Sequence, residues 1–245
     1  MVIDHIGFYF YDLFSFEQIY ILRSIGRLAM PLFTFLIING FFKTKDLKRY
    51  IFRLLRLAII TQVIISVLGV INFKFVPEYV TNIYYNFNIV FSFVLSLLFI
   101  NGLNNILLKK YDNIKEVFKN IAVITVIPCI YGLFEFNGII KLDYEFMVLI
   151  LSTLFYILHK IKEINNYVYY IMLIITIILY TSIAVILNPI NVTIFLVIPL
   201  LFVFNEDIKS KNLKLQKMFY SVFFIQHTLL YLGALIYTII KFNNM

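Results

Sequence analysis

Apolar residues run along this chain in nine stretches, at about 1–11, 24–42, 51–71, 87–108, 119–136, 144–158, 167–187, 192–204 and 218–240, with polar residues gathered in the breaks. A helix that crosses a bilayer needs about 20 apolar residues in a row. The pattern therefore predicts an all-α fold, a polytopic transmembrane helix bundle of about nine helical segments. The first stretch, Met1 to Tyr11, holds 11 residues. Either it does not cross the bilayer, or it is the second half of a first helix that is truly shortened or whose natural start lies upstream. No internal repeat and no long linker divides the chain, so residues 1–245 are expected to form a single integral membrane domain.

The breaks alternate in charge. "KTKDLKR", "KKYDNIKEVFK", "HKIKEIN" and "NEDIKSKNLKLQK" are basic, whereas "DLFSFEQIYILR", "NFKFVPEYVTNIYYN", "NGIIKLD" and "NPIN" are poor in Lys and Arg. The first set carries 14 of the 21 basic residues. Because cytoplasmic loops concentrate Lys and Arg, this places the basic breaks inside the cell, the N-terminus inside and the C-terminus outside. No basic start followed by a small-residue cleavage site is present, so no cleavable signal peptide is expected.

Composition agrees with the pattern: 62% of residues are hydrophobic and 14% charged, with 27 Phe, 18 Tyr and no Trp. A water-soluble domain could not cover such an interior with polar surface. The net charge of +8 follows the topology rather than forming a phosphate-binding face, so nucleic acid is not an expected partner. A lone cysteine, Cys129, excludes a disulfide framework and is read as a small packing residue.

Candidate chemistry lies in the polar groups within apolar stretches, because lipid penalises ionisable side chains that do no work there. Asn88, Ser92 and Ser96 recur every four residues as one stripe, the pattern of hydrogen bonds between helices. Tyr220, Phe224, His227 and Tyr231 share a face of the last stretch. Arg23 and Arg27 lie one turn apart at the outer end of the second, and Arg53 and Arg56 are near enough to the cytoplasmic face to snorkel. His159 falls in a basic break and reads as solvated. Asp4 and His5 are adjacent, so they point about 100° apart on a helix and Asp4 does not easily orient the imidazole. The partner for His5 is expected from Arg27 or His227. No spacing of metal ligands, phosphate loop or serine elbow occurs, so no metal is predicted.

These residues also carry a family resemblance. "DHIG" at 4–7, "IGRLAMPLFTFLIINGFFKTKDLKRYIFRLL" at 25–55, "NIVFSF" at 88–93, "LDY" at 142–144 and "FYSVFFIQHTLL" at 219–230 follow in the order and spacing of TraX-like membrane proteins. The likeness covers essentially the whole chain and is most specific at 25–55. Asn39 and Gln62 stand where the family pattern favours Glu, Lys43 replaces a turn His, and "DYEFMV" at 143–148 lacks the usual glycines.

The resemblance implies an integral membrane acyltransferase, and specifically an acetyltransferase, of the bacterial cytoplasmic membrane. It would take the acyl group from cytoplasmic acyl-CoA, with acetyl-CoA as donor. The acceptor would be a membrane-embedded or surface protein or glycan, such as a pilin N-terminus, met among membrane lipids. By the same resemblance His5 is the proposed catalytic base, with Asp4, Arg27 and His227 completing the catalytic set. The cytoplasmic basic residues Lys43, Lys48, Arg49, Arg53 and Arg56 are placed to bind the donor's phosphates, since cations there pair with anionic oxygens. Two other functions fit the same polar interior: a small-molecule transporter, and a non-catalytic partner in assembly of a secretion or pilus system.

Overall fold

The computed structural model describes residues 2–75, 86–109, 111, 113–137, 141–142, 144–203, 225–226, 228–237 and 239–241. Their helices follow the apolar stretches: α1 (Val2–Tyr9), α2 (Phe16–Gly26), α3 (Ala29–Lys43), α4 (Leu47–Phe75), α5 (Ile89–Leu107), α6 (Ile114–Asn137), α7 (Glu145–Ile164), α8 (Asn166–Leu187) and α9 (Val197–Val203). Residues 228–237 and 239–241 are also helical. A 3-10 segment, Pro189–Leu196, leads into α9. The extended pieces among the described residues are β1 (Asn86–Phe87) and β2 (Lys141–Leu142), two residues each and paired in parallel. The fold is all-α.

Two breaks read from the sequence are helical instead. The run "DLFSFEQIYILR" contains most of α2, because Ser15 and Gln18 form a capping box. The Gln18 amide donates to Ser15 Oγ (3.3 Å) and the Ser15 amide donates to Gln18 Oε1 (2.9 Å). The Ser-x-x-Gln spacing is the sequence signal for this start, one that the charge pattern alone does not use. Likewise α7 continues to Ile164, so Asn165 alone joins it to α8, its Oδ1 accepting from the amides of Tyr167 and Val168.

Among the described residues, five helical stretches are long and apolar enough to cross a membrane: Phe16–Lys43, Leu47–Val67, Ile89–Leu107, Ile114–Phe134 and Asn166–Leu187. Their outward faces are as apolar as their inward ones. Only 17% of the apolar window of Ile114–Phe134 is buried within the protein. In water such a surface would aggregate, whereas in lipid it needs no cover. Cys129 lies on this exposed side of α6, so it does not pack in the interior as the sequence suggested.

The helices group into two units. One comprises residues 33–58 and 85–172, the other 1–32, 59–84 and 173–245. In the 33–58/85–172 unit the polar stripe behaves as expected. Asn88 caps α5 through the Val90 amide (3.1 Å) and donates to the Ala58 carbonyl (2.9 Å). The Tyr131 hydroxyl donates to the Ser92 carbonyl (2.9 Å) and lies 3.5 Å from Ser96 Oγ, tying α6 to α5. Ser92 and Ser96 are fully buried. Around them Ile127, Tyr131, Leu142 and Leu149 form a core. Tyr144, the residue before α7, has φ 60°, a left-handed conformation uncommon outside glycine.

Candidate functional site

In the other unit, α1 and α2 pack side by side because two glycines let them approach. A Cβ at Gly7 would lie 3.0 Å from Leu22 Cβ, and one at Gly26 only 2.1 Å from Asp4 Cβ. The Asp4 side chain thus rests directly on the Gly26 backbone, buried to 8% exposure. Its charge is met by Arg23, whose Nη1 lies 3.0 Å from Asp4 Oδ1. The Arg23 guanidinium also sits 5.2 Å from the centre of the Phe8 ring. A carboxylate taken out of water needs such a partner, or it would neutralise.

His5 follows on α1, with its Nδ1 atom buried and its ring 6.0 Å from that of Tyr9. Tyr9 meets the buried Tyr231 edge-to-face at 5.3 Å, and Lys241 reaches Asp12 at 2.9 Å. These contacts hold the end of α1 against the last helix. Arg27 forms the C-cap of α2, its amide donating to the Arg23 and Ser24 carbonyls, and its Nε is buried. The same last turn of α2 is held by Thr193, whose hydroxyl donates to the Ser24 carbonyl. The arrangement presents a half-buried imidazole on the same helix pair as an ion-paired carboxylate and a second half-buried arginine, Arg27. Such a set can accept a proton and stabilise a developing oxyanion.

The structure therefore places Asp4, His5 and Arg27 on one packed helix pair. It gives Asp4 a partner, Arg23, that the sequence reading had grouped with Arg27 without assigning it a role. The signal was present: two opposite charges in neighbouring apolar segments each need neutralising. His227 lies outside the described residues, as do Tyr220 and Phe224.

The candidate donor-binding residues belong to the 33–58/85–172 unit. Lys43, Lys48, Arg49, Arg53 and Arg56 are all exposed. Asp46 caps α4 by accepting from the Arg49 amide (2.9 Å), and its other oxygen pairs with Arg49 Nε at 3.4 Å. Arg53 and Arg56 lie over the Tyr50 and Phe52 rings, 5.9 and 5.1 Å from their centres. These aromatic rings hold the two exposed guanidinium groups close to α4.

His159 departs from its reading as a solvated loop residue. It lies within α7, and its ring stacks on Phe42 at 3.7 Å and 11°. It lines a cavity with Phe35, Ile38, Asn39, Phe155, Leu158 and Tyr169. The sequence hid this because Lys160, Lys162 and Glu163 made the segment resemble a loop.

Comparison with known proteins adds one finding. Neither curated proteins nor solved structures gave a match. A family model, described as TraX protein, matches residues 1–235. With nearly the whole length matched, and with "DHIG" falling on α1 and "IGRLAMP" across the end of α2 and the start of α3, this helical membrane protein belongs to the TraX family.

Proposed function

We propose that this protein is an integral membrane acyltransferase that uses cytoplasmic acyl-CoA, with acetyl-CoA as the donor. The acceptor would be an amine or hydroxyl of a membrane or cell-surface molecule, such as a pilin N-terminus or a glycan. The observation that carries the reading is His5, an imidazole with a buried nitrogen on a helix locked in place by Asp4, Arg23 and Gly26. Lipid-embedded ionisable groups on a rigid support are the usual mark of a working site.

In this reaction the acceptor nitrogen or oxygen attacks the thioester carbonyl. A C–N or C–O bond forms, the C–S bond breaks, and the CoA thiolate leaves. Neutral His5 takes the acceptor's proton during attack and returns it to the departing sulfur. Arg27 supports the oxyanion, since a guanidinium stays charged. Lys43, Lys48, Arg49, Arg53 and Arg56 hold the donor's phosphates. Arg23 positions Asp4 and does not touch substrate.

The test is acyl release or transfer from acetyl-CoA by the purified full-length protein. His5→Ala should slow it by about 10²–10⁴-fold, the scale of a lost general base. Equal rates for His5→Ala and the unaltered protein would remove His5 from the reaction. No detectable acyl-CoA binding would favour a transporter or an assembly partner.

A further inference from the structure

Asn39 on α3 is buried to 6% exposure, and no described protein group accepts from its Nδ2. An amide N–H withdrawn from solvent and left without an acceptor is costly, so a buried group of this kind calls for a partner that is not protein. Three buried hydroxyls, those of Ser24, Thr61 and Ser152, also lack a partner among the described residues. A helical hydroxyl, however, can turn to the carbonyl one turn back, as Thr153, Thr181 and Ser182 do at 2.8, 2.7 and 2.9 Å. Asn39 instead adjoins a cavity.

The cavity is bounded by α3, α7 and the start of α8, and all its lining residues belong to the 33–58/85–172 unit rather than to the one that holds α1 and α2. Phe35, Ile38, Phe155 and Leu158, each between 2% and 7% exposed, close its apolar side. Its free space, about 10 Å³ for the centre of a water-sized sphere, is that of one water molecule and is too small for a lipid chain or a nucleotide. Besides Asn39, two polar side chains line it, His159 and Tyr169. The His159 ring is held by stacking on Phe42 at 3.7 Å, and Tyr169 is buried. A buried water makes about three hydrogen bonds, and an amide, an imidazole and a phenol are groups that can supply them.

We propose that this cavity is a binding site for one ordered water molecule. The water oxygen accepts from Asn39 Nδ2, and its protons go to His159 and Tyr169. The water thereby joins α3 to α7 and α8 at a point where the apolar packing offers Asn39 no acceptor. It does for these three helices what the Tyr131 hydroxyl does directly for α5 and α6. This site stands whether or not the α1–α2 pair is an acyltransferase.

The experiment is hydroxyl-radical labelling by X-ray radiolysis of the purified full-length protein in detergent, with water itself as the probe and a rapid jump into water enriched in heavy oxygen. A water held inside a protein is activated in place and labels the side chains around it, however little they are exposed. Phe35, Phe155 and Tyr169, none more than 7% exposed, should therefore take up oxygen. Their uptake of the heavy isotope should lag behind that of Tyr167, which is 74% exposed. Absence of label at all three in the unaltered protein overturns the proposal without any variant having to fold. Isotope uptake as fast as at Tyr167 also overturns it, since open solvent rather than one held molecule would then reach the cavity. Asn39→Leu, of similar volume and without the donor, should lose the label at Phe35, Phe155 and Tyr169 and keep it at Tyr167. Label that persists at the three in a folded Asn39→Leu protein overturns the role of Asn39 and with it the proposed site.

Discussion

Gly26→Ala is the most severe small change available at the α1–α2 contact, and its size can be worked from the packing. The new methyl carbon would fall 2.1 Å from Asp4 Cβ, 2.5 Å from Cγ and 2.8 Å from Oδ1. Carbon atoms rest at about 3.5–4.0 Å, so the helices must part by more than 1 Å. Overpacking of this kind costs about 1–3 kcal/mol, and the helix propensity of Ala over Gly offsets about 1 kcal/mol. Displacing Asp4 also breaks its pair with Arg23 at 3.0 Å. Losing a buried pair costs about 3–5 kcal/mol, discounted here because the Arg23 side chain is 23% exposed. The sum is a loss of about 2–4 kcal/mol. It is measured by denaturant unfolding of the detergent-solubilised protein. The control is Asp4→Gly, which removes the colliding Cβ, whereas Asp4→Ala would keep it. In the Asp4→Gly background, Gly26→Ala should be neutral or stabilising by up to about 1 kcal/mol. An equal loss in both backgrounds would refute the contact.

Three further outcomes are expected. Tyr131→Phe removes the hydroxyl that donates to the Ser92 carbonyl at 2.9 Å and should destabilise the protein by about 1–2 kcal/mol, read by the same unfolding; no change would mean α5 and α6 are not joined there. Arg53→Ala or Arg56→Ala should raise the KM for acetyl-CoA and leave kcat unchanged, because a phosphate contact far from the thioester binds ground and transition states alike. In a Cys129→Ala background, a cysteine at position 245 should react with an impermeant reagent in intact cells, as expected if the C-terminus is outside; labelling only after lysis would reverse the topology.

Helix existence was legible because lipid imposes one rule, that every backbone group be satisfied within the segment, and long apolar runs can obey it only as helices. Boundaries were less legible where a helix carries charge beyond the hydrocarbon. The stretches at 16–23 and 159–164 look like loops by polarity, yet the capping box at Ser15 starts α2 there and α7 runs on to Ile164, where the Asn165 amide donates to the Ile161 carbonyl. The same masking hid His159, whose stacking on Phe42 depends on a neighbour more than a hundred residues away in sequence. At the α1–α2 pair, the charged residues could be read from the chain but their pairing could not. Asp4 was expected to act in the chemistry, and its ion pair goes to Arg23, a choice set by where Gly26 lets the carboxylate settle. That division has a physical basis. Periodicity reports what each helix presents, while small residues decide how closely two helices meet, and a single Cβ is enough to move a charge out of reach. For this reason Gly26, which carries no chemistry of its own, decides as much about the site as His5 does.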